Sequence, residues 1–329
     1  MHVLISGGAG FVGSHLGDAL LERGHRVTCV DDFSKGPRSN VSHNVGREGF
    51  EIVEMDVADT DALKRVGEGV EVVIHLAAAK IPRYESAIAN VTTNLEVARS
   101  ALELARENGA KALLASTSDV YGISPDLPFR EDGNITLGPS TTRRWAYAVG
   151  KLADEHMAFA YEDDFGLRVV LMRFFGTYGP RQYLSWWGGP QGVFLEAISR
   201  GEQLEIHGDG SQRRCFVYIS DLVEAIVRAA GRPEADGLIL NMGSDEEVSV
   251  LGLAELMYRL SGREGDPALR FIPYESFGGN YQDVQRRIPD LTRQRGVLGW
   301  EPQVSLEEGT ARLWEWYRSA PDGGGAHDS

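Results

Sequence analysis

Short apolar runs alternate with segments of helical periodicity along residues 1–175. The apolar runs, which have the length and composition of buried strands, lie at 2–6, 26–30, 51–53, 71–76, 111–116 and 168–173. The candidate helices between them lie near 13–23, 59–66, 87–108 and 145–165. Because strand and helix alternate regularly, the pattern predicts an α/β fold with a doubly wound parallel sheet.

The first predicted strand runs into a glycine-rich turn. Gly7, Gly10 and Gly13 have the spacing of a dinucleotide-binding fingerprint and lie between a strand and a helix. The first two permit a tight turn and a close approach of the backbone to a pyrophosphate, and the third permits close packing of helix on strand. This context favours a Rossmann domain over a purely structural turn.

An acidic pair follows the second predicted strand. Asp31 ends the run 26–30, at the place where a carboxylate binds the adenosine ribose in dinucleotide-binding domains. Asp31 and Asp32 would repel a 2′-phosphate, and Arg38 comes late in the segment. The predicted cofactor is therefore NAD rather than NADP.

The alternation stops near Gly176, where aromatic and glycine-rich loops begin. A helix at 220–230 and a buried strand at 238–242 then return to the first domain. We therefore expect an NAD-binding domain of 1–175 plus about 217–245 and a smaller α/β substrate-binding lobe. The lobe would comprise 176–216 plus about 246–318, over the carboxyl ends of the strands, and 319–329 would form a disordered tail.

The composition limits which binding partners and which cellular location we expect. Lys and Arg number 33 against 48 Asp and Glu, a net charge of −15, which argues against nucleic acid or an anionic membrane as partner. Cys29 and Cys215 are too few for a disulfide framework. The histidines show no ligand spacing, so no metal site is expected. Without a targeting or membrane-spanning pattern, the expected location is the cytoplasm.

Tyr147 and Lys151 are four residues apart and share one face of a predicted helix. An ammonium below a phenol stabilises the phenolate, so Lys151 is predicted to lower the pKa of Tyr147 and make it a usable base. The spacing is common by chance. Here it follows the glycine turn and the segment Ser-Thr-Ser-Asp-Val-Tyr-Gly at 116–122, and this combination predicts a catalytic site.

Taken in order, these motifs resemble the extended short-chain dehydrogenase/reductase family of nucleotide-sugar enzymes, over nearly the whole chain. The matching segments are Gly7 to Gly13, Asp56-Val57, His75-Leu76-Ala77-Ala78, Asn94, Thr117, Tyr147 with Lys151, Arg173, Tyr178-Gly179-Pro180-Arg181, Gly208-Asp209-Gly210 and Leu298-Gly299-Trp300. One departure is Gly176, where most relatives carry an Asn that contacts the diphosphate.

The resemblance implies roles for individual residues. It implies an NAD site formed by Gly7, Gly10, Phe11, Val12, Gly13, Asp31, Asp56, Val57, Ala77, Ala78, Asn94, Tyr147 and Lys151. Thr117 would bind the sugar 4-hydroxyl and Tyr147 would take its proton while hydride leaves C4 for NAD. The substrate-binding residues implied are Ser118, Arg144, Arg173, Arg181, Arg214 and Arg287.

Within the family the chain is most similar to UDP-glucuronate decarboxylases, namely UDP-xylose synthases and the decarboxylase domain of the lipid A aminoarabinose pathway. Those enzymes carry Thr-Ser-Glu-Val-Tyr-Gly where this chain has Thr-Ser-Asp-Val-Tyr-Gly at 117–122. Arg144, Arg214-Cys215-Phe216 and Tyr281-Gln282-Asp283-Val284 match them too. Dehydratases instead place an Asp-Glu pair after the Thr, a pair that this chain lacks.

Decarboxylation would follow directly from oxidation, because a 4-keto group turns the C5 carboxylate into a β-keto acid. Arg214 is predicted to act on the carboxylate or on reprotonation at C5, with Asp119 orienting a water or Arg214 itself. Alternatively Arg214 clamps the diphosphate, as Arg181 and Arg287 are expected to do. The alternative function is a 4-epimerase of UDP-glucose or UDP-glucuronate, and a more remote one is a non-catalytic NAD-sensing protein.

A homodimer is expected from the same resemblance. Relatives dimerise through the helices around 90–108 and 147–162. In this chain, Leu95, Leu102, Met157 and Tyr161 would form the shared face.

Overall fold

The structure is a computed structural model that describes residues 1–80, 87–277 and 281–319. Its strands are, in chain order, β1 (His2–Ser6), β2 (Arg26–Asp31), β3 (Phe50–Glu54), β4 (Val72–His75), β5 (Lys111–Thr117), β6 (Val169–Phe174), β7 (Gly176–Tyr178), β8 (Leu204–His207), β9 (Arg213–Tyr218), β10 (Leu238–Met242), β11 (Glu247–Ser249), β12 (Leu269–Ile272) and β13 (Arg286–Arg287). Its helices are α1 (Phe11–Glu22), α2 (Thr60–Val66), α3 (Ala87–Asn108), α4 (Trp145–Phe165), α5 (Pro190–Arg200), α6 (Ile219–Gly231), α7 (Val250–Leu260), α8 (Thr292–Leu298) and α9 (Leu306–Ser319).

Seven parallel strands form the main sheet, in the order β10-β6-β5-β4-β1-β2-β3. The chain order reverses between β1 and β4, and ligands of open α/β sheets bind at such a switch point, beyond the carboxyl ends of the strands. The predicted doubly wound sheet is thus confirmed.

The apolar runs are continuous because the sheet is covered on both faces. In β1, Val3 and Ile5 pack into one core, while Leu4 packs into a second core with Leu102 of α3. All four side chains have no exposed surface. Successive residues of one strand therefore both need apolar side chains.

Apart from β10, which joins the main sheet, the strands after β6 form a smaller lobe. Its sheet joins β11, β9 and β13, with β7 paired to β9, and β12 pairs with β8 separately. None of the helices in the described part of the chain is long and apolar enough to cross a membrane.

Two sequence predictions need correction here. Leu102 lies in the core between α3 and the sheet, so it cannot belong to a dimer face, whereas Leu95, Met157 and Tyr161 are half-buried. The predicted tail overlaps α9 at Ser319, which is helical. The rest of that segment, 320–329, lies outside the described residues.

Candidate active site

The glycine turn joins β1 to α1 at the carboxyl edge of the sheet. Gly7 has φ +75°, and a Cβ there would lie 2.9 Å from the backbone nitrogen of Ala77. A Cβ on Gly13 would lie 2.2 Å from the carbonyl oxygen of Gly7. Gly10 caps α1 and lines a cleft. The absence of side chains thus leaves the N-terminus of α1 open to an anion, as a dinucleotide diphosphate requires.

Asp31 lies at the end of β2, beside this turn. Its carboxylate accepts hydrogen bonds from the backbone N–H groups of Ala9 and Phe33, both at 2.9 Å. Burial raises the pKa of Asp31 above its ordinary value. Arg38, the arginine that the sequence analysis considered, is paired with Glu54, and neither of the two lines the cleft. The residues present therefore fit the adenosine ribose of NAD.

The cleft has a volume of about 980 Å³ and runs from the glycine turn over the ends of β4 and β5 to the lobe. Many of the predicted site residues line it. These are Gly7, Gly10, Phe11, Val12, Gly13, Asp31, Asp56, Val57, Ala77, Ala78, Thr117, Ser118, Asp119, Arg144, Tyr147 and Arg287.

Asn94 supports the cleft from behind. Its side-chain amide bonds both the backbone N–H of Ala79, at 2.8 Å, and the backbone carbonyl of the same residue, at 2.9 Å. Ala79 lines the cleft directly after Ala77 and Ala78. Asn94 therefore fixes the backbone of the cofactor wall.

Thr117 and Tyr147 come to the cleft from different elements. Thr117 ends β5, and its Oγ1 accepts a hydrogen bond from the backbone N–H of Asp119 at 3.2 Å, so its own O–H can donate to a ligand. Tyr147 lies in the first turns of α4. The two side chains place a hydroxyl donor and a phenol on one cleft wall.

The predicted lowering of the Tyr147 pKa by Lys151 is wrong for this structure. Burial raises the pKa of Tyr147 above its ordinary value, and the negative charges of Asp119 and Asp154 act in the same direction. The Lys151 Nζ lies 2.7 Å from Asp154 Oδ2, with each side chain only 2% exposed. The lysine is therefore paired with a carboxylate of its own helix. Lys151 also lies outside the cleft lining.

Asp119 is the centre of an arginine cluster. Arg287 Nη2 donates to Asp119 Oδ1 at 2.6 Å, and Arg144 Nη2 donates to the same oxygen at 3.3 Å. Arg144 Nη1 and Arg214 Nη2 bond Asp283 Oδ1 at 2.9 and 3.1 Å. Among the described residues of this cluster, three guanidinium groups face two carboxylates, which leaves a positive charge at the cleft wall.

This charge balance shifts the pKa values of the cluster. Burial alone would raise the pKa of Asp119, but Arg287 and Arg144 outweigh it and hold that pKa below the ordinary value. Burial lowers the pKa of Arg214 to about 10, with Arg287 and Arg144 acting in the same direction and Asp283 opposing them. Asp119 is thus an ionised acceptor in this structure.

Arg214 does not hold the position that the sequence predicted for it. Its guanidinium binds Asp283 behind the cleft wall, and the partners of Asp119 are Arg287 and Arg144 instead. Arg214 lies opposite Arg287 in the pairing of β9 with β13, and of these two arginines Arg287 lines the cleft.

Two more predicted substrate residues lie outside the cleft lining. Arg173 points from β6 toward α4 and binds both carboxylate oxygens of Glu155, at 2.9 and 2.7 Å, with 2% of its surface exposed. Arg181 is bound to Asp18 of α1 at 2.8 Å. Both arginines therefore make structural ion pairs here.

The lobe adds an aromatic wall to the cleft. Trp186 stacks on His207 with ring centroids 4.3 Å apart. The ring centroid of Phe277 lies 4.5 Å from that of His207 and 5.3 Å from that of Tyr281. All four line the cleft. Aromatic faces of this kind suit a planar base or the apolar face of a sugar. The sequence signals were the Trp186-Trp187 pair and the position of His207 directly before Gly208-Asp209-Gly210.

Gly176 has a local explanation. A Cβ on this residue would lie 2.4 Å from Cδ1 of Phe216, on the neighbouring strand β9. Gly176 and Phe216 both line the cleft. The aromatic ring thus fills the space beside the backbone where the resemblance implies an Asn side chain.

Known proteins resemble the chain in sequence and in structure. Residues 3–243 match the NAD dependent epimerase/dehydratase family. The chain is 34% identical over 318 residues to the UDP-N-acetyl-alpha-D-glucosaminuronate decarboxylase of Bacillus cytotoxicus, covering 96% of this chain and 97% of that protein. It is 37% identical over 321 residues to UDP-glucuronic acid decarboxylase 1 of Xenopus tropicalis, covering 96% and 72%.

Among solved structures, UDP-glucuronic acid 4-epimerase from Bacillus cereus, in complex with UDP-glucuronic acid and NAD, superposes with a TM-score of 0.85 at 28% identity. The alignment covers 96% of this chain and 98% of that one. The glycine turn, the acidic end of β2 and the Thr117–Tyr147 wall agree with these matches. The chain therefore belongs to the NAD dependent epimerase/dehydratase family and is an NAD-dependent enzyme of its nucleotide-sugar group.

Proposed function

We propose that the protein decarboxylates a UDP-hexuronate, with UDP-glucuronate as the first substrate to test, through a 4-keto intermediate. The observation that carries this proposal is the pairing of Asp119 with Arg287 and Arg144 on the cleft wall that also presents Tyr147. A carboxylate-bearing sugar needs a cation beside its reacting carbons. The surplus positive charge of the arginine cluster supplies one.

The first step removes a hydride from C4 of the sugar and a proton from the 4-hydroxyl group. Thr117 orients the 4-hydroxyl, and Tyr147 takes its proton once the phenol, whose pKa burial raises in this structure, has lost its own. The glycine turn and Asp31 would hold NAD, which would supply the acceptor for the hydride that leaves C4. The product of this step is a 4-keto sugar.

The second step breaks the bond between C5 and the carboxylate. The electron pair of that bond moves toward the 4-keto oxygen, carbon dioxide leaves, and a 4-enolate forms. Tyr147, now protonated, and Thr117 can donate hydrogen bonds to the developing oxyanion. Arg287 and Arg144 hold the carboxylate beforehand, while Asp119 fixes their guanidinium planes. C5 then takes a proton from solvent.

A 4-epimerase is the second candidate. The likeness to the Bacillus cereus 4-epimerase favours it, because that enzyme was crystallised with UDP-glucuronic acid. Epimerisation would use the same Thr117 and Tyr147 but would return the hydride to the other face of C4. A 4-epimerase of UDP-glucuronate would also bind the sugar carboxylate through a cation, so the arginine cluster fits both functions. The relatives that are named as decarboxylases favour decarboxylation.

Mass spectrometry of the nucleotide sugar after incubation with UDP-glucuronate separates these functions. Loss of carbon dioxide supports the decarboxylase, and an unchanged mass with inverted C4 supports the epimerase. UDP-N-acetylglucosaminuronate belongs in the same assay, because a relative is named for it. Thermal stabilisation by NAD without turnover of any of these sugars would instead indicate an NAD-sensing protein.

A homodimer and a cytoplasmic location stay predictions. Ile88 of α3 and Val149 of α4 are 74% and 46% exposed, which supports an apolar contact between copies through these helices. Light scattering of the purified protein tests the dimer.

A further inference from the structure

Two lysines lie on segments that pack against the glycine turn. Lys35 comes directly before Gly36, where a Cβ would lie 2.5 Å from the carbonyl carbon of Ala9 in that turn. The segment after β4, which contains Lys80, packs on Gly7 at the other end of the turn. In the main sheet, β1 lies between β2 and β4, the strands that lead into these two segments. Lys35 and Lys80 therefore flank the place where the turn would hold a dinucleotide diphosphate.

The side chain of Trp187 connects these two lysines. Lys35 Nζ lies 4.6 Å from the centroid of the indole ring and Lys80 Nζ lies 5.7 Å from it, both within the range of a cation–π contact. Lys80 Nζ also donates a hydrogen bond of 2.9 Å to the backbone carbonyl of Trp187. Trp187, both lysines and Gly10 line the same cleft. Because the lysines flank the glycine turn, the indole between them spans the open side of that turn.

Trp187 is held by a closely packed loop, residues 183–189, which we name the tryptophan loop. The hydroxyl of Tyr183 donates to the backbone carbonyl of Lys35 and so ties the loop to the NAD-binding domain. Ser185 Oγ accepts a hydrogen bond of 3.3 Å from the backbone N–H of Trp187. A Cβ on Gly188 would lie 1.8 Å from the carbonyl oxygen of Tyr183, so the backbone is closely packed after Trp187 too. These contacts place the indole beside the lysines.

The two tryptophans of the loop contact different parts of the cleft. Trp186 stacks on His207 of the smaller lobe, with ring centroids 4.3 Å apart. Trp187 instead meets Lys35 and Lys80 of the NAD-binding domain. One residue type at two successive positions therefore serves the lobe side of the cleft and the cofactor side separately.

We infer that Trp187 is a cofactor-binding residue, which covers the diphosphate of NAD at the glycine turn and slows its release. The ammonium groups of Lys35 and Lys80 hold the indole and also lie beside this anion. The indole must move away from both lysines before the diphosphate can leave, so its contacts oppose dissociation. The inference concerns the cofactor, and it applies to a decarboxylase and to a 4-epimerase alike.

The test is the rate at which the cofactor leaves the purified protein, measured without a sugar. The protein is loaded with NADH, whose fluorescence reports binding, and release is followed by stopped flow after an excess of NAD is added. We expect NADH to leave Trp187→Ala at least about tenfold faster than the wild type, with a matching rise in Kd. The reason is that lost aromatic and cation–π contacts act mainly on dissociation.

Two further variants separate the indole of Trp187 from the loop around it. Trp186→Ala is the matched control, because it removes the same side chain from the same loop but on the lobe side, and it should release NADH at the wild-type rate. Trp187→Phe keeps an aromatic ring between the lysines and should release NADH more slowly than Trp187→Ala does.

Release at the wild-type rate from folded Trp187→Ala would overturn the inference. Tighter binding would overturn it too, since the indole would then compete with the cofactor for its site. Equal acceleration in Trp186→Ala would assign the effect to the loop as a whole and reject the role of Trp187. If Trp187→Ala does not fold, Lys35→Met decides, because it removes an exposed ammonium from the ring and keeps the backbone carbonyl that Tyr183 binds.

Lys35→Met should also release NADH faster than the wild type, and an unchanged rate in that variant would reject the inference. Since no sugar is present in this experiment, a protein that fails to decarboxylate UDP-glucuronate can still be tested for the role of Trp187.

Discussion

Arg286 and Arg287 are neighbours in the chain but reach opposite sides of β13. Arg287 Nη2 donates to Asp119 Oδ1 at 2.6 Å in the cleft wall, whereas Arg286 binds both oxygens of Glu247, at 2.8 and 2.9 Å, on the exposed surface. Side chains of successive strand residues point to opposite faces. This parity makes one arginine a cleft residue and leaves the other a surface residue.

Arg287→Lys should slow turnover of UDP-glucuronate at least about tenfold. Lysine keeps the charge but lacks the planar fork that can bind a carboxylate while holding Asp119. The measurement is carbon dioxide release and NADH absorbance in the same reaction. Arg286→Lys is the matched control and should keep wild-type rates. Equal losses in the two variants would contradict the assignment of Arg287 to the substrate.

Local patterns predicted the main sheet well, because each strand run and the glycine turn are encoded within a few adjacent residues. The contacts within the arginine cluster could not be predicted from local sequence patterns. Arg287 and Asp119 are 168 residues apart in the chain. Whether Arg286 or Arg287 reaches Asp119 depends on the register of β13 against β9. That register is set by tertiary packing.

The partner of Lys151 is a different case. Asp154 lies three residues further along α4, and that spacing brings side chains together on a helix. The sequence therefore carries the signal for this pair. What the sequence does not show is that the pair is buried, with each side chain only 2% exposed.

Tyr147→Phe should lower C4 oxidation by about 10²–10⁴-fold, the usual cost of losing a general base. The ring is retained, so NAD affinity and the melting temperature should stay close to wild type. Single-turnover NADH formation measures the oxidation step, and calorimetry measures NAD binding. Near-normal NADH formation would remove Tyr147 from the mechanism.

Asp283→Asn should flatten the acid dependence of stability. Burial alone would raise the pKa of Asp283, but Arg214, Arg144 and Arg287 outweigh it and lower that pKa. A lowered folded pKa means that the unfolded state binds the proton first. The stabilisation is therefore complete above the unfolded value of about 3.9 and is lost as pH falls through the lower folded value. Thermal melts at a series of pH values from about 6 down to about 3 should show a smaller loss of stability in the variant than in the wild type.

Arg173→Met separates a structural role from substrate binding. Removing one member of a buried pair leaves Glu155 uncompensated and should cost about 3–5 kcal/mol of unfolding free energy. The KM for UDP-glucuronate should change little, since Arg173 lies outside the cleft lining. Urea unfolding and steady-state kinetics check the two halves. A raised KM with normal stability would restore the substrate role that the sequence implied.

Gly176→Ala tests the tight contact between β7 and β9. The added Cβ would lie 2.4 Å from Cδ1 of Phe216, and the ring, 6% exposed, must shift to accept it. We expect a loss of about 1–3 kcal/mol in unfolding free energy, the usual cost of overpacking a filled site. Phe216 lines the cleft, so substrate affinity should fall as well.

Gly231→Ala, at the end of α6, is the control, because its Cβ would meet nothing within 4 Å. That substitution should be neutral or stabilise by up to about 1 kcal/mol, through lower entropy of the unfolded chain. If both variants melt alike, Gly176 is not held by the ring, and the departure from the relatives' Asn needs another cause.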